Sequence, residues 1–364
     1  MPHALFVPVS MVALIRALVT LLIVLSALPA TASEPTLVTL DALSPLAGRD
    51  EIAHRLLSPL ARMEYDRVVA QQHLQVIDQT IATGEEQYDL FVPELPAGSG
   101  DDAYGLVVFI SPGPDFTVPS DWRGILARER LILISARRSG NAQNMLGRRV
   151  PLALHGYGYA TRHYKVDPER VYVAGFSGGG RTAQLVAFAW PDVFHGVLMF
   201  AGSDPFGDGA VAPPPRELMR LVQTRLRIVQ STGMADEVNI AIDGRTRRTL
   251  AGLCVRNVSH VDQPRLGHGL PRAVGFGKAL KALLEPAASA GDDAQCNARL
   301  QARIDSELAE VDRLITAGRQ AQARKRLLEV DAHYGWLAAP GSIEAMQRLS
   351  GHAAQTAPAR EERP

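Results

Sequence analysis

Five residues near the middle of the chain, Gly175-Phe176-Ser177-Gly178-Gly179, satisfy the pattern Gly-x-Ser-x-Gly. They follow the apolar run 171–176 and precede a segment of helical period, so the spacing predicts a serine on a sharp strand-to-helix turn. Such a turn strains the backbone, and Gly175 and Gly179 leave room for it. The helix that follows aims amide groups at the serine, and the N–H of Gly178 is placed to donate to an oxyanion. The bland alternative is a glycine-rich tight turn.

A serine hydroxyl is a poor nucleophile until a base takes its proton. In the order Ser, acid, His, the base follows the last strand. His268, in "RLGHGLP", has that position. His260 is the main rival but falls inside an apolar run, and His155, His163 and His195 precede any acid in that order. For the acid that orients the imidazole, Asp236 in "STGMADEVN" follows the run 227–232. Asp204 in "AGSDPFG" and Glu237 are alternatives, and each of the three has a plain reading as a turn or cap residue. A second oxyanion donor is expected from the loop "ISPGPDFTVP", residues 110–119. Pro112 and Pro114 lack an N–H, which leaves Gly113, Asp115 or Phe116, with Gly113 preferred.

These groups need a scaffold that presents strand ends on one side. From 87 to 284 the chain alternates short Val-, Ile- and Phe-rich runs with longer segments of helical period, the pattern of a mostly parallel sheet covered on both faces. Strands are predicted at 87–92, 105–110, 131–136, 171–176, 196–201, 227–232 and 254–261, and helices at 149–164, 179–190, 215–224 and 270–284. The fold class is therefore α/β, with a catalytic domain over 81–285. Ahead of it, 33–80 reads as an N-terminal extension with a helix at 50–60. Behind it come a linker at 286–296, a small helical appendage at 297–350 that covers part of the α/β domain, and a disordered tail at 351–364.

Composition narrows the partners. Lys and Arg together number 38, as do Asp and Glu, in 364 residues, so nothing points to nucleic acid or an anionic membrane surface. Arg16, an apolar run of about 12 residues at 17–28 and the small residues Ala30 to Ala32 have the order of a cleaved export signal over 1–32. The run is short of the roughly 20 residues that span a bilayer, so no stable membrane anchor is expected. Export would be periplasmic or extracellular. The two cysteines, Cys254 and Cys296, either pair or remain as buried thiols; pairing would close a loop of about 40 residues and add roughly 4 kcal/mol. Scattered histidines, and the absence of His-Glu-x-x-His or a cysteine cluster, imply neither a metal nor another cofactor.

With serine, acid and histidine in this order on this strand pattern, the sequence resembles an α/β-hydrolase over residues 87–284. The passage "YKVDPERVYVAGFSGGGRTAQLVAFAWPDVFHGVLMFAG", 164–202, is similar to secreted esterases of the polyhydroxybutyrate-depolymerase and feruloyl-esterase type. It departs from them in two places: "SPGP" stands where those families carry a His-Gly pair, and Gly178 stands where Ala or Met is usual. The resemblance implies a secreted serine hydrolase cleaving small-molecule or polymeric carboxylic esters. A peptidase of the prolyl-oligopeptidase kind and a non-catalytic binding protein on the same scaffold remain alternatives, and oligomeric state is left open. In the loop "SARRSGNAQNMLGRR", 135–149, Asn141, Asn144 and the arginines either contact substrate or are solvated. Arg181 lines a pocket or, as preferred here, makes an ion pair.

Overall fold

The computed structural model describes residues 34–72, 81–94, 103–207, 212–285 and 293–356. The apolar run at 17–28 and its cleavage site lie outside the described residues.

Eight strands form one sheet: β1 (Thr36–Thr39), β2 (Gln87–Phe91), β3 (Tyr104–Ile110), β4 (Leu131–Ala136), β5 (Val166–Phe176), β6 (Gly196–Phe200), β7 (Arg227–Gly233) and β8 (Val258–Gln263). Their spatial order is β1-β2-β4-β3-β5-β6-β7-β8. β2 pairs antiparallel with β1 and β4, and every other pairing is parallel. The inner strands are apolar on both faces because both faces are covered. Leu106, Val108, Ile110, Ile132, Ile134, Val171, Val173, Val197 and Met199 enter one core. Their neighbours Val107, Phe109, Leu131, Leu133, Tyr172, Ala174, Leu198 and Phe200 enter the other.

The helices in chain order are α1 (Arg49–Leu56), α2 (Pro59–Gln72), α3 (Ser120–Arg128), α4 (Val150–His163), α5 (Gly178–Ala189), α6 (Arg216–Thr224), α7 (Glu237–Gly252), α8 (Ala273–Leu284), α9 (Ala294–Thr316), α10 (Gln320–Tyr334) and α11 (Gly341–Thr356). On one face α3 and α8 meet through Trp122 and Phe276, whose rings stack at 3.9 Å. The Trp122 indole N–H donates to Pro271 O at 2.9 Å.

Several boundaries differ from the sequence reading. β1 was not anticipated, being four residues with mostly exposed side chains. β5 begins at Val166 rather than 171, with a register irregularity opposite Tyr104 and Leu106 that absorbs the Asp-Pro-Glu-Arg stretch. β8 runs four residues later than its apolar run began, because Cys254 takes a positive φ of 63° and ends the preceding turn. The expected helix at 50–60 is two helices split before Pro59. The linker is shorter than expected, since α9 starts at Ala294, and residues 351–356 of the expected tail are helical.

The helices at the two chain ends pack together. Leu60 of α2 shares a small core with Val311, Ile315, Ala323, Leu327, Ala345, Met346 and Leu349. Asp331 of α10 accepts from Ser58 Oγ and from the Leu60 N–H (3.2 Å) at the start of α2. Leu300, Ile304, Val330, Tyr334 and Leu337 belong to the main core, so this helical unit covers one side of the α/β layer. Cys254 and Cys296 form a disulfide, Cα–Cα 5.9 Å, that fastens α9 to the approach to β8.

Candidate active site

Ser177 lies between β5 and α5 with φ 54° and ψ −123°, a conformation that costs a non-glycine residue on the order of 1–3 kcal/mol. Close backbone packing holds it there. A Cβ at Gly175 would stand 2.3 Å from Gly179 O, one at Gly179 would stand 2.0 Å from Ile110 O, and one at Gly202 would stand 1.9 Å from Ser177 O. Gly202 follows β6 and was not singled out from sequence. The Ser177 N–H also donates to Phe200 O at 2.8 Å, which ties the turn to the end of β6.

Three side chains from separate strand ends meet here. His268 Nε2 lies 2.9 Å from Ser177 Oγ, and His268 Nδ1 lies 2.6 Å from Asp236 Oδ2. Burial pushes the Asp236 carboxyl up, but hydrogen bonds from His268 and Asn239 outweigh it and hold the group below the usual carboxylate range. An ionised Asp236 only accepts, so Nδ1 carries the imidazole proton and Nε2 is left to accept from the serine hydroxyl. The Phe176 ring lies 5.0 Å from the imidazole.

The loops bearing acid and histidine are stitched together by Met234 N–H to Gln263 O and Ala235 N–H to Leu266 O, both 3.0 Å. Asp236 is also the N-cap of α7, so its plain reading and its contact with His268 coexist. Asn239, three residues into that helix and 7% exposed, donates through Nδ2 to both Asp236 oxygens at 3.0 and 2.8 Å. Sequence reasoning missed it; the signal was its place three residues after an N-cap aspartate.

The rival residues are engaged elsewhere. Asp204 accepts from Arg181 Nε at 3.0 Å, the ion pair expected for Arg181, whose Nη2 also approaches Asn239 Oδ1 at 3.4 Å. Glu237 is exposed at the start of α7. His260 lies in β8 against Arg247 and Asp262; His155 accepts from Ser44 N–H; His163 meets Asp41 and His195 meets Arg225. Among the described residues no group of three or more His, Cys, Asp or Glu side chains is placed to hold a metal ion.

Gly178 begins α5 directly after Ser177. Gly113 is placed differently from the expectation. Its N–H donates to Ser111 Oγ at 3.0 Å and is therefore already spent within its own loop. Beneath the turn lies Arg149, 3% exposed. Its guanidinium donates to Ser139 O (2.8 Å), Ser111 O (3.1 Å) and Gly178 O (3.3 Å), so one cation joins the loops after β3, β4 and β5. Burial pulls it below the ordinary arginine value.

No family model matches the chain, and no curated protein matches it. Among solved structures it is similar to a ferulic acid esterase at 14% identity, covering 54% of this chain and 88% of that one, with a TM-score of 0.42. It is also similar to a puromycin-hydrolyzing peptidase of Mycobacterium tuberculosis at 17% identity, covering 71% of this chain but only 39% of that one, TM-score 0.44. An S-formylglutathione hydrolase from Staphylococcus aureus aligns at 12% identity over 54% of this chain and 90% of that one, TM-score 0.42. The eight-stranded order, the antiparallel β2 and the serine turn between β5 and α5 give the chain the α/β-hydrolase fold, extended by helices at its C-terminal end.

Proposed function

We propose that this protein is an exported serine hydrolase acting on carboxylic esters, small or polymeric, through an acyl-enzyme. The observation that carries the reading is the hydrogen-bonded series Ser177 Oγ, His268 Nε2, His268 Nδ1, Asp236 Oδ2, at 2.9 and 2.6 Å, which begins at a serine with positive φ. In this mechanism Ser177 Oγ bonds to the carbonyl carbon as its proton passes to His268 Nε2. The carbonyl electron pair moves to oxygen, beside the Gly178 N–H. Collapse breaks the bond to the alcohol, which leaves with the proton from His268, and water enters by the same base to release the acid. Export is supported by the apolar run before Ala30 and by the Cys254–Cys296 disulfide, a bond that persists in oxidising compartments.

The test is intact-mass analysis of the protein after exposure to a fluorophosphonate, with Ser177→Ala and His268→Ala alongside. One adduct on the unaltered protein, absent from both variants, is expected. A folded protein that takes no adduct would leave the binding-protein reading instead. Turnover of aminoacyl p-nitroanilides in preference to p-nitrophenyl esters would transfer the activity to peptide bonds.

A further inference from the structure

A tetrahedral intermediate at Ser177 calls for two hydrogen-bond donors. Gly178 N–H is one. In the loop after β3, Pro112 and Pro114 have no N–H and the preferred Gly113 donates to Ser111 Oγ at 3.0 Å, so Asp115 and Phe116 are the backbone donors left there to compete with a side chain. The loop after β4 lies on top of it, through Arg138 N–H to Pro114 O at 2.6 Å and Asn141 N–H to Pro112 O at 2.8 Å. That contact carries the Asn141 side chain over Gly178. A Cβ at position 178 would stand 2.2 Å from Asn141 Oδ1, 2.7 Å from Cγ and 2.8 Å from Nδ2. The carboxamide thus fills the space that a side chain after the serine would take, which accounts for glycine at 178.

We propose that Asn141 is the second oxyanion donor, its side-chain N–H converging with the Gly178 N–H on the oxygen that turns negative when Ser177 attacks; the assignment rests on the hydrolase reading above. The geometry allows it in either orientation of the amide. A Cβ lies about 2.5 Å from its own backbone nitrogen, so both Asn141 terminal atoms, at 2.2 and 2.8 Å from that Cβ, fall within about 5.3 Å of Gly178 N. Two donors sharing one oxygen at about 2.9 Å each are separated by less than about 5.8 Å. Asn141 is exposed, and its carboxamide has no hydrogen-bond partner among the described residues, so it is free to turn toward a substrate oxygen.

Steady-state hydrolysis of p-nitrophenyl acetate by Asn141→Ala and Gly178→Ala, singly and together, tests the assignment, with fluorophosphonate labelling of each protein. Asn141→Ala should lower kcat by about 10²- to 10³-fold with KM changed less than about threefold. Gly178→Ala keeps its N–H but pushes the carboxamide aside, so it should lower kcat too, and the double variant should be no slower than Asn141→Ala. All three should still label to completion. A kcat within about threefold of the unaltered enzyme in Asn141→Ala, or a loss confined to KM, would overturn the assignment while leaving the hydrolase reading intact. Failure of the unaltered protein to label would overturn both.

Discussion

At Asp236 the sequence offered three carboxylates, and the structure separates them by what each touches. Asp204 is held by Arg181 and Glu237 faces solvent, whereas Asp236 meets His268 Nδ1 at 2.6 Å. Asp236→Asn keeps the shape but lets the amide donate, which favours the wrong imidazole tautomer; kcat should fall by about 10⁴-fold. Asp204→Asn should cost less than about tenfold, since Arg181 reaches the acid only through Asn239. Ester turnover by the two variants decides the matter, and equal losses would mean that Asp204 takes part directly. Ser177 and His268 were readable because each sits in a glycine-flanked turn just after an apolar run. Asn239 and Arg149 were not. One acts through a neighbouring carboxylate and the other through backbone carbonyls, and neither kind of partner leaves a mark in residue types.

Elements show the same limit from another side. Helix α7 went unread because its inward positions, Asn239, Asp243, Thr246 and Leu250, are mostly polar and give no hydrophobic period. They are buried because they hydrogen-bond: Asp243 takes Ser203 Oγ at 2.5 Å and Thr232 Oγ1 at 2.6 Å, and Gln230 Nε2 reaches Ser203 Oγ at 3.1 Å. The inner strands β3, β4 and β6, by contrast, announced themselves, because burial on both faces demands unbroken apolar runs. Arg149 does for three loops what that network does for β7 and α7. Arg149→Met would remove the guanidinium from the carbonyls of Ser111 and Ser139, while Gly178 O keeps Thr182 Oγ1 at 2.9 Å, and lost hydrogen bonds to a charged group are worth about 1.5–3 kcal/mol each before any relaxation. We expect about 3 kcal/mol lower stability by urea unfolding together with slower ester turnover. Arg149→Lys should fall between, because a lysine cannot span three acceptors in one plane. A methionine variant within about 1 kcal/mol of the parent would show that the loops are held by other means.

For the molecule as a whole, what sequence could not convey is that its two ends share one helical unit: Leu60 N–H and Asp331 are 271 positions apart, and no local pattern reports a contact at that range. The N-terminal segment is fixed to the α/β layer at a second point, where the buried His155 of α4 accepts the Ser44 N–H through Nδ1 at 2.9 Å. That bond requires a neutral ring. Burial above all, helped by the nearby Arg162 cation and opposed by Glu86, pulls the His155 pKa from 6.5 down to about 4. The unfolded chain therefore binds a proton between pH 6.5 and 4 that the folded chain refuses. The associated stability is complete above pH 6.5 and drains away as pH falls toward 4, about 2 kcal/mol being lost at pH 5. Asp236, whose pKa is depressed from 3.8, loses its contribution only at lower pH and does not enter this window. His195 is also lowered by burial, against the pull of Glu169, so the quantity to read is the difference between the parent and His155→Gln, which keeps an acceptor for Ser44 but cannot titrate. Urea midpoints at pH 7.5 and pH 5 should show the parent losing about 2 kcal/mol more than the variant. Equal losses would mean that His155 is protonated in the folded protein and that the N-terminal segment is not held through its ring.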